Sequence, residues 1–459
     1  MFAFVNNSNI CNETRDNYKK NFRRVVFPLV EKYFRGTYES SLNIFDVVQL
    51  ELNDVHFTAV EGGQLKKLLQ LFYLGQLVGL PTLHSILHQY GLSSNNHQIN
   101  YIKLCKKVSH SILHKIFESV FEHEVLCQLQ NMSEKDSSCW SRELVTAVLD
   151  DSIFKQWHNS QDIAKDFEGC FGKFFSGQFM AAVYGFKVVT FALSIDGVIY
   201  PVYFDYVKKA PSKSDKVDKA TKIAAGLVEK WGLFLEKAKK KGVLIPKLHF
   251  SCDSGYSDLV LSQTCESNKL TYISVPKKSH LFEITDRKGR VSKSNLEDWV
   301  KDVFLQKEQK HELAQAKLDK KDRKAFIYRF KAFYCSQKRE VTLLAFRLNG
   351  SKKVSIIYST SKNIFAKTLR RHWFQRTYIE QFFKLLKHVL KIQEARVKTK
   401  QEFQTKLCRF AFVALHAQKL LKYLRTKNKK YQKYGLITMQ RWLVKEKKMD
   451  DLLQQILNI

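Results

Sequence analysis

Three acidic positions could share one chemistry, the binding of a hard divalent cation by carboxylate oxygens. Asp253 follows the run Val243 to Cys252 (VLIPKLHFSC), which reads as a buried strand. An acid just past such a strand stands where open α/β sheets place their sites. An Asp there more often caps a helix, and Ser254-Gly255-Tyr256-Ser257-Asp258 does turn the chain towards one. Asp150 and Asp151 follow the apolar run Leu144 to Leu149 (LVTAVL), and both readings apply again. Successive side chains on a strand alternate faces, so at most one of the pair can point at a shared ion. Glu380 is the third acid. In the stretch from Trp373 to Lys387 (WFQRTYIEQFFKLLK), Trp373, Arg376, Glu380 and Lys387 fall within an arc of about 60° on a helix. One face then presents an aromatic ring, two cations and a carboxylate. The plainer alternative is an amphipathic helix whose Arg376 and Glu380 form an i, i+4 salt bridge.

These residues need elements to hold them. Leu144 to Leu149 reads as a strand ending at Asp150-Asp151-Ser152. Lys187 to Ile195, Asp196-Gly197 and Val198 to Tyr206 make a hairpin, because Asp-Gly supplies the positive φ angles of a type I′ turn. Val217 to Lys241 reads as an amphipathic helix closed by Gly242, followed by the strand leading to Asp253, a short helix, and a strand at Leu270 to Val275. This succession implies an α/β core with a mixed sheet and flanking helices, in the order of the ribonuclease-H-like fold. A β-rich insertion is expected over 281–365, with a charged helix at Leu313 to Lys324, then strands at 325–334, 341–348 and 353–358 and an Asn349-Gly350 turn. Helices at 373–390 and 400–425 complete the core. The domains expected are a helical N-terminal domain at 1–140, a catalytic core at 141–280 and 366–425, the insertion, and a basic C-terminal tail at 426–459. Gln64 to Leu80 and Ile99 to Phe121 carry the helical spacing of the first domain, without a clean helix-turn-helix signature.

The composition points to a polyanionic partner. Lys and Arg number 77 against 44 Asp and Glu, a formal charge of +33 in 459 residues, and cations that neutralise phosphates release condensed counterions. No apolar run approaches the roughly 18 residues of a membrane-spanning helix, and the first residues lack the pattern of a signal peptide. The nine cysteines are odd in number and never spaced as CxxC, which disfavours a disulfide framework and a zinc site. A cytoplasmic protein with reduced thiols is expected.

The acidic motifs and the Glu380 helix resemble those of DDE transposases of bacterial insertion sequences, in the subgroup marked by the YREK signature. That signature is tyrosine, two residues, arginine, three residues, glutamate, six residues, lysine. Arg376, Glu380 and Lys387 match it at full spacing, and Trp373 stands in the tyrosine position. Cys252 to Asp258 resembles the second-aspartate motif, and Leu149-Asp150-Asp151-Ser152 resembles the first, which favours Asp150 over Asp151. The long gap between Asp253 and Glu380 suits a subgroup that carries β-strands there.

The resemblance implies a DNA transposase that cuts element ends and joins the exposed 3′-OH to target DNA. It implies Mg²⁺, with Mn²⁺ as a substitute, held in a two-metal site by Asp150, Asp253 and Glu380. Trp373, Arg376 and Lys387 would contact DNA. The partners implied are double-stranded DNA and a second subunit in a synaptic dimer, on the nucleoid of a bacterial cell. Two other readings remain: a ribonuclease-H-like nuclease that cuts without joining, and a non-catalytic DNA-binding derivative.

Overall fold

The computed structural model describes residues 110–427, apart from 134–143, 156–168, 177–179, 209–218, 278, 286–289, 318–323, 352, 395–396 and 398. Val108–Leu415 form one compact unit, and the geometry below belongs to it. Most of the expected N-terminal domain, and the basic tail from 428 on, lie outside the described residues.

A helix α1 (His110–Ser133) precedes four strands, β1 (Val145–Lys155), β2 (Phe171–Ser176), β3 (Ala181–Ile195) and β4 (Val198–Tyr206). Helix α2 (Lys219–Lys240), strand β5 (Leu248–Ser251), helix α3 (Leu259–Ser267) and strand β6 (Leu270–Ser274) follow. The five core strands lie side by side as β4-β3-β1-β5-β6, with β3 antiparallel to both its neighbours and β1, β5 and β6 parallel. This is the ribonuclease-H-like order. Turn chemistry sets the hairpin: Asp196 and Gly197 have φ of 49° and 83°, which suits a type I′ turn. Gly242, with φ of 78°, ends α2 in the left-handed conformation that glycine adopts without strain. Trp231 of α2 is fully buried against Phe191 of β3, with ring centroids 5.6 Å apart, and each such side chain contributes roughly 1.5–3 kcal/mol by leaving water.

The strand at Asp150 is longer than the apolar run suggests. β1 does not end at Asp150; it pairs with β3 through Lys155, opposite Gly185. A bare glycine permits that approach, since a Cβ at 185 would lie 2.3 Å from the carbonyl oxygen of Phe154. β2 pairs with the first part of β3 and has no counterpart in the expected elements.

The insertion is not a separate layer. It comprises β7 (Leu281–Thr285), β8 (Val291–Asn295), α4 (Leu296–Gln309), β9 (Ala314–Lys317), β10 (Lys324–Tyr334), β11 (Arg339–Leu348) and β12 (Ser355–Ser359). β12 pairs antiparallel with β6, at Tyr358↔Ser274 and Ser359↔Ile273, so the insertion extends the core sheet. The charged helix expected at Leu313 to Lys324 is a correction. The helix is α4, where Asn295 accepts from the Asp298 N–H as its cap, and Leu296, Val300 and Phe304 supply a buried stripe at helical spacing. Ala314–Lys317 instead pairs with β10 as a strand.

Helix α5 (Ala366–Lys384) then crosses the face of β1 and β5, and helix α6 (Lys400–Lys427) follows. Ile379, Phe382 and Phe383 bury the inner side of α5. Polar pairs fix its position: His372 Nδ1 meets Thr146 Oγ1 of β1 at 2.7 Å, and Ser194 Oγ of β3 donates to Gln375 Oε1 at 2.8 Å.

Candidate active site

Alternation along β1 decides where its acids point. Thr146 meets His372, Asp150 meets Arg376, and Phe154 meets Phe383 at 6.1 Å, so these even-numbered side chains face α5. Asp151 faces the other way, towards Lys187 and Tyr256. The two neighbouring acids therefore serve different faces of one sheet.

Asp150 Oδ1 accepts from the Asp151 N–H at 2.9 Å, and Oδ2 lies 3.4 Å from Arg376 Nη1. Burial pushes its carboxyl up to about 7, opposed by the Arg376 guanidinium. Asp253 follows the neighbouring parallel strand. Val148 is level with Ser251 in the β1–β5 register, and Asp150 and Asp253 each lie two residues further on. Asp253 caps a single 3₁₀ turn, Ser254–Tyr256, by accepting from the Ser254 N–H at 2.7 Å. The capping reading of this residue thus describes a bond that it makes, and its second oxygen is not used in that bond.

Glu380 comes from α5 and its Oε1 pairs with Arg376 Nη1 at 2.8 Å. The salt-bridge reading is also present, but Arg376 does more than close an i, i+4 pair. Burial works against its charge, while Asp150, Glu380 and Asp253, in that order, raise its pKa. One guanidinium thus pairs with two of the candidate acids, Asp150 and Glu380.

Lys387 does not sit on a regular α-helix. Leu385–Val389 form a π-helical turn, a feature frequent at functional sites. Its Nζ lies 5.3 Å from the centre of the Phe154 ring. Burial lowers its pKa to about 8, with Asp151 and then Asp150 holding it up. Trp373 has a different setting. It packs beside the cluster of Ile273, Leu344 and Ile357, 6.2 Å from Phe346 and 5.2 Å from the Arg370 guanidinium. Its ring is half-buried and lies at the seam between α5 and the insertion.

The structure therefore brings Asp150 and Glu380 to Arg376, sets Asp253 level with Asp150, and places Lys387 over Phe154 of the same strand as Asp150. Three groups had no place in the sequence reading: Tyr256 with Lys187, the His249–His372 pair, and the π-turn. Strand alternation would have separated Asp151 from Asp150, but nothing local in the sequence pairs Asp151 with Tyr256. Among the described residues, no three His, Cys, Asp or Glu side chains stand close enough together to enclose a metal ion. None of the six cysteines among the described residues is in a disulfide.

Residues 232–415 match the family described as Transposase DDE domain. The match takes in Asp253, Arg376, Glu380 and Lys387, and begins after Asp150. Among solved structures, the chain is similar to a piggyBac transposase synaptic complex with hairpin DNA, at 10% identity and a TM-score of 0.41. That likeness covers 91% of this chain and 78% of the other. No curated protein matches. No helix among the described residues is long and apolar enough to cross a membrane.

Proposed function

We propose that this chain is a DDE transposase that cuts the ends of an insertion sequence and transfers the 3′-OH to target DNA. The observation that carries the reading is the pairing of Asp150 and Glu380 with Arg376, with Asp253 level with Asp150 at the end of the neighbouring parallel strand. The family match over Asp253 and Glu380 supports it, and so do the full spacing of Arg376, Glu380 and Lys387 and the charge of +33.

The donor set fits a hard divalent cation. It consists of carboxylates alone, which suit Mg²⁺, with Mn²⁺ able to substitute. Among the described residues Asp150 is ion-paired with Arg376 alone, and a divalent cation would add positive charge beside its largely buried carboxylate. Asp150, Asp253 and Glu380 would hold the ions. When bound, two such ions polarise phosphate oxygens and offset the charge that develops on attacking and leaving oxygens.

The chain's own residues would position the DNA. Arg376 presents a planar fork suited to a phosphate oxygen pair, and Lys387 adds a point charge beside it. The hydrophobic seam under α5 keeps both on a rigid support, and rigidity matters because in-line displacement tolerates little misplacement. Trp373 would contribute through the α5 seam and the edge of its indole. Two like ends call for two like subunits, so the active form on DNA would be a dimer. Residues 1–140 would supply further DNA contacts, and residues 400–459 would form the region of contact between subunits.

The test uses DNA taken from either side of the gene as substrate, with Mg²⁺. The reading expects nicks with 3′-OH ends followed by products of joined size. Nicks without joined products would instead indicate a nuclease, and binding without nicks a non-catalytic derivative.

A further inference from the structure

Tyr256 and Asp151 have no role in the reading above, yet they are bonded to each other. Tyr256 Oη donates to Asp151 Oδ2 at 2.7 Å, and Lys187 Nζ stands 3.3 Å from the same oxygen. Tyr256 is 3% exposed, so water does not replace that bond when it is lost. Lys187 places a positive charge beside the oxygen that accepts the bond. The two ends of the bond belong to separate pieces of chain. Asp151 is the residue after Asp150 on β1, and Tyr256 closes the turn that Asp253 opens.

That turn is fastened elsewhere too, but to other elements. Ser274 Oγ of β6 donates to the Asp253 carbonyl at 3.0 Å. The N–H groups of Tyr256 and Ser257 bond back to Asp253 and Ser254, each at 3.1 Å. Tyr272 Oη of β6 donates to the Tyr256 carbonyl. Ser257 Oγ bonds the hydroxyls of Tyr334 and Tyr358, at the ends of β10 and β12, at 3.0 and 2.8 Å. Among the described residues, Tyr256–Asp151 is the one hydrogen bond that ties the turn to the strand of Asp150.

We propose that Tyr256, anchored on Asp151, is a positioning residue that fixes the spacing between the Asp150 and Asp253 carboxylates. Alternation makes this possible: Asp150 points to the α5 face while its neighbour grips the Asp253 turn from behind. Asp151 thus shapes the site without lying in it. The proposal rests on the metal-site reading for its consequence, but the clamp itself is a matter of backbone order.

The experiment compares wild type, Tyr256→Phe, Asp150→Asn to identify metal binding at the site and, as a control, Thr342→Val. Thr342 is buried in the insertion and donates to the Lys362 carbonyl at 3.1 Å, so its loss removes a comparable bond far from the acids. Two quantities are read without DNA: Mn²⁺ affinity by electron paramagnetic resonance, and amide hydrogen exchange at 254–257. Tyr256→Phe keeps the ring and loses only the hydroxyl. It should bind Mn²⁺ about tenfold more weakly or worse, in line with the loss of other outer partners of metal ligands. Exchange at Ser254, Tyr256 and Ser257 should rise about tenfold, with Thr342→Val unchanged in both quantities. Faster exchange with wild-type Mn²⁺ affinity overturns the positioning role, and unchanged exchange overturns the clamp. A wild-type protein with no Asp150-dependent Mn²⁺ binding would sink the metal-site reading instead. The clamp would then stand or fall on exchange alone.

Discussion

Arg376 is bound to two carboxylates at once, which changes the expected effect of removing it. An exposed i, i+4 pair contributes a few tenths of a kcal/mol. Here the Arg376 side chain is 13% exposed and that of Asp150 15%, and removing the guanidinium strands a buried carboxylate. Arg376→Ala should lower metal-free stability by about 1–3 kcal/mol, read by urea unfolding, besides slowing cleavage. A midpoint equal to wild type would show that Asp150 has another counter-charge. Lys387 makes a weaker structural contact, over the Phe154 ring, which is worth about 0.5–1 kcal/mol. Lys387→Gln should therefore keep its melting temperature within a few degrees and bind bulk DNA nearly as well, while cutting far more slowly. Cutting at the normal rate would make Lys387 a structural residue and weaken the phosphate role given to this helix.

Helix α5 carries Glu380 and Arg376, so its docking sets the site's geometry. His372 and His249 stand between α5, β1 and β5 with ring centroids 4.0 Å apart. Loss of water pushes His249 down to about 4, aided by Lys247, and His372 down to about 2, aided by His249 and Arg371. Unfolded histidines take up protons near pH 6.5, so below that pH this pair binds more protons in the unfolded chain than in the folded one. Its contribution to stability is then full above about pH 6.5 and declines as pH falls towards 4, while the raised Asp150 carboxyl acts in the opposite direction below about pH 7. His249→Phe should flatten this decline in thermal melts between pH 4.5 and 8, and an unaltered slope would contradict the assignment. Where β3 meets the end of β1, Gly185→Ala must displace β3 from the Phe154 carbonyl and should cost about 1–3 kcal/mol in urea unfolding. Legibility follows the same lines. Asp196-Gly197, Gly242 and the apolar runs marked the hairpin, the end of α2 and the core strands, because each is a local signal. β2 (FGKFFS) lacks clean alternation, and a long charged run drew the insertion's helix away from Leu296, Val300 and Phe304. The acids were visible as types and spacings. The approach of Asp150 to Arg376 and the levelling of Asp253 with Asp150 were not, since they depend on the docking of α5 and on a β1–β5 register that no local pattern encodes.

At the scale of the whole molecule, charge and topology separate two tasks. A surplus of 33 cations would give affinity for any nucleic acid, and such binding should weaken steeply with salt, by a slope of roughly −0.9 for each phosphate neutralised. Affinity therefore cannot distinguish a transposase from another basic protein, whereas the acids can. The insertion, joined edge to edge through β6 and β12, braces the Asp253 turn from one side while β1 holds it from the other. The measurement that most directly tests the account is cleavage of duplex DNA from beside the gene by wild type and Asp253→Asn, in Mg²⁺ and at matched DNA occupancy. The account predicts Mg²⁺-dependent nicks from the wild type and none from the variant, with equal binding. Equal cleavage by Asp253→Asn would contradict it.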